Sequence, residues 1–324
     1  MVKNIILSFN AHLYYNKAWL ERMDSMPDFI VTPFAFEDLA KVKAHGADSV
    51  LIGTPFFSVR CVYAFAVEEL QAIKKECERL SLRMYVAVNR FFVEEELPAL
   101  RQHLHLLKEL DVDGIYYGDE CVLLEAEHFD LKKKLIYNPD TLITNHSDVQ
   151  YYLDEGIQMV TISKEITLQE MCEIGRLTDG ECEVILHGRL NMMHSKRNLL
   201  SSYMSFIGKN EQVRNNYDLY LMEENREEHM PIVEDETGTH VFTGFTLASF
   251  EEIQELLNSG IRHFRIDGMF HDIAYVLEAL DLYHAILNKE KDATAVFAAY
   301  AKKYEKDHVT HGFYYTETSK VKEG

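Results

Sequence analysis

The chain has 324 residues, 47% of them hydrophobic, so it is long enough to bury one large core or two smaller ones. Its 53 acidic and 33 basic side chains give a formal net charge of −20. This charge argues against nucleic-acid binding by the chain alone, because phosphate contacts depend on clustered lysine and arginine. The five cysteines are odd in number and scattered without a C-x-x-C pair, so they indicate neither a disulfide framework nor a zinc knuckle.

The amino-terminal residues and the apolar runs predict no membrane anchor. Residues 4–9 are too few for the apolar region of a signal peptide, and no small-residue cleavage site follows them. No run approaches the roughly 20 apolar residues that a membrane span needs. We therefore expect a cytoplasmic protein with no membrane contact. Residues 1–25 match no recognisable element and are predicted to form an N-terminal extension.

Short β-branched runs alternate with amphipathic segments across residues 26–290. Apolar residues at helical spacing predict helices over 36–45, 67–80, 94–110, 147–155 and 168–177. The runs predict eight strands, at 29–32, 49–52, 84–88, 114–117, 134–137, 159–162, 183–186 and 263–266. Strand count and alternation predict an α/β protein with an eight-fold β/α (TIM-like) barrel. A doubly wound open sheet is the alternative.

The connection between strands 7 and 8 is much longer than the others. It covers residues 188–262, where one helix and two short turns would suffice. Residues 217–222 alternate like a strand, and the stretch 231–240 contains a turn at Thr237-Gly238. We predict a small antiparallel insertion within 189–246, with an irregular loop as the alternative. The last unit, 291–324, is predicted to be a C-terminal helix followed by an extended tail at 311–316.

Polar side chains follow nearly every predicted strand. In a barrel the carboxyl ends of all strands face the same end, which is where α/β proteins place their chemistry. The set mixes donors, acceptors and titratable groups, and it suits an anionic or planar polar ligand. Its members are Arg60, Asn89, Arg90, Asp119, Glu120, Asn138, Asn145, Lys164, Glu165, His187, Arg189, Asp267 and Gly268.

Candidate roles follow from the chemistry of these side chains. The candidate catalytic residues are His187, Glu165 and Asp267. The candidate ligand-binding residues are Arg60, Asn89, Arg189, Lys196 and Arg197, since guanidinium and ammonium groups suit carboxylates and phosphates.

Each assignment has a structural alternative. His187 is as well explained by a core histidine, and Lys196 and Arg197 by the solvated face of a helix that Ser195 caps. The acidic run 234–236 favours a solvated turn over a metal site or a hairpin cap. We therefore predict no metal site.

Several familiar catalytic motifs are missing. The sequence contains no H-E-x-x-H, no G-x-S-x-G, no phosphate-binding G-x-x-x-x-G-K-[ST] and no dinucleotide-binding glycine pattern. A zinc protease, an α/β-hydrolase, a P-loop nucleotide hydrolase and a dinucleotide-dependent oxidoreductase of the usual kinds are therefore excluded.

The chain resembles the peptidase U32 (collagenase-like) family over residues 29–315. The most specific phrases are His187-Gly188 and the hairpin phrase Pro-Ile-Val-Glu-Asp-Glu-Thr-Gly-Thr-His at 231–240. Looser matches follow in the family's order at 31–33, 46–53, 85–89, 111–115, 163–165 and 261–268. The phrase Ser-Lys-Arg-Asn-Leu at 195–199 resembles that of the cysteine-poor member of the paired family proteins of Firmicutes.

The resemblance implies that this chain lacks the family's iron-sulfur cluster. Members of the family commonly bind the cluster through four cysteines. The corresponding positions here are Asn191, Asn198, a stretch without cysteine between 210 and 217, and Ala248. An amide or methyl group does not replace a thiolate on iron.

The resemblance also implies a function in RNA modification. The expected function is that of a cluster-less subunit that acts with a cluster-bearing paralogue and contacts tRNA through the complex. The pair would form 5-hydroxyuridine at the wobble position and require prephenate, whose two carboxylates suit the four basic side chains Arg60, Arg189, Lys196 and Arg197. A collagenase-like peptidase and a non-catalytic scaffold subunit are the alternatives.

Overall fold

The structure, a computed structural model, describes residues 26–139, 142–178, 181–222, 224 and 228–317. The predicted N-terminal extension, 1–25, lies outside the described residues. Twelve strands are described, in chain order β1 (Asp28–Val31), β2 (Ser49–Ile52), β3 (Arg83–Val88), β4 (Gly114–Tyr117), β5 (Leu135–Tyr137), β6 (Met159–Thr161), β7 (Cys182–Ser195), β8 (Tyr220–Met222), β9 (His229–Asp235), β10 (Gly238–Ala248), β11 (His263–Ile266) and β12 (Val309–Thr310).

Ten α-helices are found in the same residues. They are α1 (Asp38–Ala44), α2 (Leu70–Leu80), α3 (Leu97–Glu109), α4 (Glu120–Glu127), α5 (His146–Asp154), α6 (Leu168–Leu177), α7 (Leu199–Phe206), α8 (Ile253–Asn258), α9 (Ile273–Leu287) and α10 (Ala293–Lys303). In this part of the chain no helix has the length and apolar character needed to cross a membrane.

Strands β1 to β7 and β11 form a closed barrel of eight parallel strands. Neighbours along the chain pair in order from β1 to β7, and β11 pairs with both β7 and β1. The predicted eight-fold β/α barrel is therefore confirmed. The double pairing of β11 excludes the open doubly wound sheet, which would leave two free edges.

The barrel strands bury both of their faces. The interior is filled by Ile30, Tyr85, Tyr116, Ile136 and Met159. Alternate residues of the same strands, such as Phe29 and Val31 of β1, belong to the larger core beneath the helices. Strands that are buried on both faces have continuous apolar sequences. For this reason the eight predicted strands coincide closely with the observed ones.

The long connection after β7 forms an antiparallel sheet, as predicted. β7 continues beyond the barrel and pairs antiparallel with β10, which pairs with β9, and β9 pairs with β8. The turn between β9 and β10 falls at Glu236 and Thr237, one residue before the predicted position. Helix α7 lies between β7 and β8. The insertion therefore continues the barrel sheet beyond β7 as an antiparallel extension.

The C-terminal tail is not extended, contrary to the prediction for 311–316. Helix α10 lies where the C-terminal helix is predicted, but residues 312–315 form turns. Gly312 has a φ of +59°, and the Tyr314 carbonyl oxygen accepts a hydrogen bond of 3.1 Å from the backbone N–H of Leu168. The hydroxyls of Tyr314 and Ser249 are 2.9 Å apart. These contacts fold the tail back onto the barrel.

A charged network joins the amino-terminal ends of four barrel strands. The carboxylate of Asp28 is 2.8 Å from His263 Nδ1 and 2.6 Å from an Arg83 guanidinium nitrogen, and it accepts a hydrogen bond of 3.0 Å from Ser49. Burial alone lowers the pKa of His263, but hydrogen bonds to Asp28 and Glu181 outweigh burial and raise the pKa to about 9. His263 is therefore held in its charged form at this end of the barrel.

His263 should make stability depend on pH. A pKa raised from about 6.5 to about 9 stabilises the fold by about 3 kcal/mol below pH 6.5, and this contribution is lost as the pH rises through 9. We predict that the difference in unfolding free energy between wild type and His263→Gln decreases from pH 6 to pH 10. Urea unfolding at both pH values measures it. If wild type and His263→Gln differed in unfolding free energy by the same amount at pH 6 and at pH 10, the raised pKa of His263 would be contradicted.

Candidate active site at the mouth of the barrel

A cleft opens at the carboxyl ends of the barrel strands. Its inner part is lined by side chains from the strands and from the loop after β2, among them Thr32, Arg60, Cys61, Asn89, Asn138, Lys164, Phe242, Arg265 and Asp267. Its outer part is lined by Phe91, Pro139, Met192 and His194, and shares Arg60, Asn89, Asn138 and Asn191 with the inner part. The two parts therefore form one continuous site, bordered by the barrel and the insertion.

The inner cleft has a positive balance of charge in an acidic protein. Among the described residues, Arg60, Lys164, Arg189 and Arg265 line it together with one carboxylate, Asp267. Lys164 and Arg265 are almost fully buried. Buried basic side chains favour a bound anion, because low solvent exposure strengthens their interaction with negative charge. The geometry is that of a site for a small carboxylate or similar anion.

The loop that carries Arg60 is held in place by Asn89. The Asn89 side-chain oxygen accepts a hydrogen bond of 3.0 Å from the Val59 backbone N–H, and its Nδ2 donates to the Val59 carbonyl at 3.4 Å. Arg60 itself has a φ of +56°, a left-handed conformation that costs free energy in a residue other than glycine. Asn89 thus borders the cleft, as predicted, and also fixes the position of Arg60.

A buried ion pair forms the floor of the cleft. Glu183 is fully buried, and its carboxylate lies 3.4 Å from a guanidinium nitrogen of Arg265. The hydroxyls of Tyr116 and Thr161 also donate to Glu183. A buried carboxylate needs such partners, because its desolvation is otherwise too costly. Arg265 was not predicted as a site residue, although a charged residue inside an apolar strand is a usable signal for one.

The side chain of Asn138 presents a hydrogen-bond donor without a partner in the cleft. It lines both parts of the cleft and is 3% exposed. Among the described residues, its Nδ2 has no hydrogen-bond partner. A buried amide donor without a partner is rare and costly. Its position next to Arg60 and Lys164 is consistent with a carboxylate oxygen as the missing acceptor.

His187 lies outside the cleft, although it is a predicted catalytic residue. Its two ring nitrogens are 3.2 and 3.0 Å from the hydroxyls of Tyr283 and Tyr300, which belong to α9 and α10. The pairing with β11 shifts by one residue here, since Arg265 faces Ile185 and Ile266 faces His187. This bulge turns His187 toward the helices. Burial lowers its pKa to about 3, so the contacts are those of a neutral core histidine.

The remaining predicted residues divide between the cleft and its surroundings. Asp267 lines the inner cleft, and its carboxylate accepts a hydrogen bond of 2.9 Å from the Met269 N–H. Glu165 is exposed and does not line the cleft. Arg189 lies on the wall, but its guanidinium donates to the Thr243 carbonyl at 2.8 Å and contacts Asp307 at 3.3 Å.

Lys196 and Arg197 lie beyond the cleft, where β7 leaves the barrel. The Lys196 ammonium group is 2.9 Å from the Glu96 carboxylate and 3.1 Å from the Phe91 carbonyl oxygen. It therefore ties β7 to the loop after β3. Arg197 is exposed. Ser195 ends β7 and does not cap a helix, which corrects the alternative interpretation of this segment.

Other polar residues after the strands have structural contacts. Asp119 and Asn145 cap α4 and α5 by accepting hydrogen bonds from backbone N–H groups. Arg90 is buried, donates to the Phe56 carbonyl at 2.9 Å and contacts Glu96. Glu120 accepts a hydrogen bond of 2.9 Å from the Tyr152 hydroxyl. These residues support the loops around the cleft.

The acidic run 234–236 is not a solvated turn, which corrects that prediction. Glu234 is fully buried, and its carboxylate accepts hydrogen bonds of 2.8 and 3.2 Å from the backbone N–H groups of Leu200 and Ser201. It therefore caps the start of α7, a favourable position for a negative charge. Asp235 accepts hydrogen bonds from Thr237 instead.

The positions that the resemblance assigns to cluster ligands hold side chains that do not fit an iron-sulfur cluster. The amide of Asn191 donates to the carbonyls of Met193 and Val241 at 3.1 and 3.3 Å, Asn198 precedes α7, and Ala248 is buried opposite His187. The five cysteines lie on separate elements. Burial raises the pKa of Cys61, Cys77, Cys121 and Cys182 to about 12, and that of Cys172 to a lesser extent. Cluster ligands must be thiolates.

Comparison with known proteins places the chain in a family. Residues 35–323 match the model of peptidase family U32. The chain belongs to the peptidase U32 family. The match begins after β1 and extends over the rest of the barrel, the insertion and the C-terminal helix, so the recognised resemblance is confirmed.

Relatives of this chain are named for RNA hydroxylation. The tRNA hydroxylation protein P2 of Bacillus subtilis (strain 168) is 28% identical over 265 residues, which cover 81% of this chain and 86% of that protein. The tRNA hydroxylation protein P1 of the same organism is 23% identical, covering 81% and 63%. The 23S rRNA 5-hydroxycytidine C2501 synthase of Escherichia coli (strain K12) is 22% identical, covering 75% and 36%. The chain thus spans less than two thirds of the latter two.

The ion pair beneath the cleft should be needed for stability. We predict that Arg265→Met lowers the free energy of unfolding by about 3 to 5 kcal/mol, because it leaves Glu183 buried without a counter-charge. The double variant Arg265→Met with Glu183→Leu should regain part of this loss. Urea unfolding of the two variants and the wild type measures both effects. Unchanged stability of Arg265→Met would show that the pair is unimportant.

Proposed function

We propose that this chain is a subunit of a tRNA-hydroxylating system that forms 5-hydroxyuridine at the wobble position. The observation that carries the proposal is the cationic cleft at the mouth of the barrel, in a member of a family whose relatives include tRNA hydroxylation proteins. The similarity to protein P2 extends over most of both chains. The net charge of −20 supports the further proposal that tRNA binds through a complex and not to this chain alone.

The proposed ligand of the cleft is a small carboxylate such as prephenate. Arg60 and Lys164 supply positive charge, and the Asn138 amide supplies a hydrogen-bond donor beside them. Prephenate has two carboxylates, which match this donor set. Of the four basic residues first considered, Arg60 keeps this role because it lines both parts of the cleft. Lys196 and Arg197 lie outside the cleft, and the guanidinium of Arg189 donates to the Thr243 carbonyl on the cleft wall.

The proposed partner is a cluster-bearing paralogue that docks on α7. None of the α7 side chains is buried, and Tyr203 and Phe206 are 57% and 88% exposed on one face of the helix. Exposed aromatic side chains are typical of protein interfaces. Asn198, which stands at a family ligand position, directly precedes α7. A partner bound here would bring its own cluster next to the cleft of this chain and supply the redox chemistry.

The peptidase alternative has less support from the site. All five thiols have raised pKa values, so none is an activated nucleophile at neutral pH. His187, the strongest histidine candidate in the sequence, lies in the core beneath the helices. The scaffold alternative makes a different prediction from the proposal. A scaffold subunit would function without an intact cleft, whereas the proposed function needs the side chains of the cleft.

Loss of the cleft charges should abolish hydroxylation. In a strain that lacks the gene for this chain, we expect the 5-hydroxyuridine derivative to disappear from tRNA and to return with the wild-type gene. Arg60→Ala and Lys164→Ala should fail to restore it, since each removes a proposed ligand contact. Mass spectrometry of tRNA nucleosides measures the effect.

Arg176→Ala is the matched control for these variants. Arg176 is exposed on α6, outside the residues that line the cleft, so this variant should restore hydroxylation fully. An unchanged nucleoside profile on deletion, in a strain without a redundant enzyme, would refute the tRNA proposal. If Arg60→Ala and Lys164→Ala both restored tRNA hydroxylation fully, the non-catalytic scaffold alternative would be favoured.

The exposed face of α7 should be needed for complex formation. We predict that Tyr203→Ser with Phe206→Ser reduces co-purification with a co-expressed, cysteine-containing family member at least tenfold, because both anchors of the proposed interface are lost. Leu124→Ser with Tyr151→Ser is the control, since these exposed apolar residues lie on α4 and α5. Equal recovery with the α7 variant and the wild type would exclude this interface.

A further inference from the structure

The outer part of the cleft differs in chemistry from the inner part. Its lining combines amide and apolar side chains, namely Asn89, Asn138, Asn191, Phe91, Pro139 and Met192. Among the described residues, the one lining residue with a permanent charge is Arg60, which the two parts share. A lining of this kind suits a neutral polar ring better than a second anion.

The size of the outer part limits what it can hold. Its cavity volume is about 210 Å³. This is the volume of roughly seven water molecules in the liquid, which is room for one planar ring with its substituents. The outer part therefore fits a single ring and not a longer segment of a chain molecule.

Of the three amides, Asn138 is the one with an unused donor. Both polar atoms of the Asn89 side chain bond to Val59, and Asn191 donates to the carbonyls of Met193 and Val241. Asn138 is 3% exposed, and no acceptor for its Nδ2 is found in the described part of the chain. A buried donor costs free energy until a ligand satisfies it. The ligand of the outer part should therefore bond to Asn138.

Phe91 supplies an accessible aromatic ring on the same part of the cleft. It lines the outer part and is 48% exposed. Its carbonyl oxygen accepts a hydrogen bond of 3.1 Å from Lys196, whose ammonium group also contacts Glu96. Its ring centroid is 5.3 Å from that of His194. These contacts hold Phe91 in place and leave nearly half of it exposed.

We infer that the outer part binds a single pyrimidine base extruded from RNA, which stacks on Phe91 and pairs its edge with Asn138. Single bases are recognised in proteins by stacking on aromatic side chains and by hydrogen bonds to their Watson–Crick edges. An amide presents an oxygen acceptor beside an N–H donor, which complements the N3–H and C4 carbonyl of uracil. The second N–H proton of Asn138 points away from this edge and serves the anion of the inner part.

The inference deepens the proposed function, on which it rests for the identity of the RNA. In uracil the C5 atom is bonded to C4, whose carbonyl accepts the Asn138 proton. Asn138 lines both parts of the cleft, so C5 lies at their boundary. The base and the proposed anion then occupy adjacent parts of one site. Stacking on Phe91 offsets part of the cost of extruding the base.

Two nucleosides test the contact with Asn138. Saturation-transfer difference NMR on the full chain with millimolar uridine should show transfer to the base protons H5 and H6. N3-methyluridine lacks the N3–H donor and should show at least fivefold less transfer, as should uridine with Asn138→Leu. Equal transfer to the two nucleosides would overturn the role of Asn138. No transfer to uridine in the wild type would overturn the site.

Conservative variants of Phe91 test the stacking. In the deletion strain, Phe91→Leu keeps the apolar bulk and removes the ring. We expect it to slow the appearance of the hydroxylated nucleoside after induction roughly tenfold, as the loss of one base–aromatic stack does. Phe91→Trp keeps a ring and should retain most of the rate. A wild-type rate with Phe91→Leu would refute stacking on Phe91.

Tyr151→Leu is the matched control for Phe91→Leu. Tyr151 is an aromatic residue of α5 that is 61% exposed and lies outside the residues that line the cleft. This variant also loses an exposed ring, and it should equal wild type. A circular-dichroism melt identifies variants that fail to fold. The comparison of uridine with N3-methyluridine needs no variant, so it tests the inference even if Asn138→Leu does not fold.

The outcomes separate this inference from the proposed function. If deletion leaves the nucleoside profile unchanged while uridine contacts the wild-type chain and N3-methyluridine does not, the tRNA function fails and the base site stands. If deletion removes the hydroxylated nucleoside but uridine shows no transfer, the tRNA function stands and the base site is overturned.

Discussion

Closure of the barrel through β11 is the constraint on which the rest of the structure depends. β11 pairs with β1 on one side and with β7 on the other, so no barrel strand has a free edge. Closure gathers the carboxyl ends of all eight strands around one mouth, and it brings Arg265 next to Glu183 in the interior. The same closure brings Arg60 and Lys164 into one cleft at this mouth, and they give the cleft its positive charge.

The two ends of the barrel use charge differently. At the amino-terminal end, Asp28, Arg83 and His263 satisfy one another and join the strands. At the carboxyl end, basic side chains outnumber acidic ones, and the Asn138 amide lacks a partner among the described residues. Paired charges stabilise a fold, whereas a buried amide donor without a protein partner is typical of a ligand site. This contrast is the physical reason for locating the function at the mouth.

The insertion holds the segments that the resemblance aligns with cluster ligands. Asparagine and alanine stand where the resemblance implies cysteine ligands, and the Asn191 amide is bound to backbone carbonyls. The same segment retains an ordered connection to the barrel, because Glu234 caps α7 and Lys196 bonds to the loop after β3. These contacts hold the insertion in place with hydrogen bonds between protein groups.

Sequence alone determined the barrel strands, the antiparallel insertion and the family, and it placed Arg60, Asn89 and Asp267 at the mouth. These inferences depend on local properties: apolar runs, turn residues and position after a strand. Tertiary pairing decided the rest. A one-residue bulge turns His187 away from the cleft, and the pairing of β7 with β10 joins His194 to His240 across 46 residues. Register and bulges are set by the neighbouring strand and not by the local sequence, so periodicity cannot reveal them.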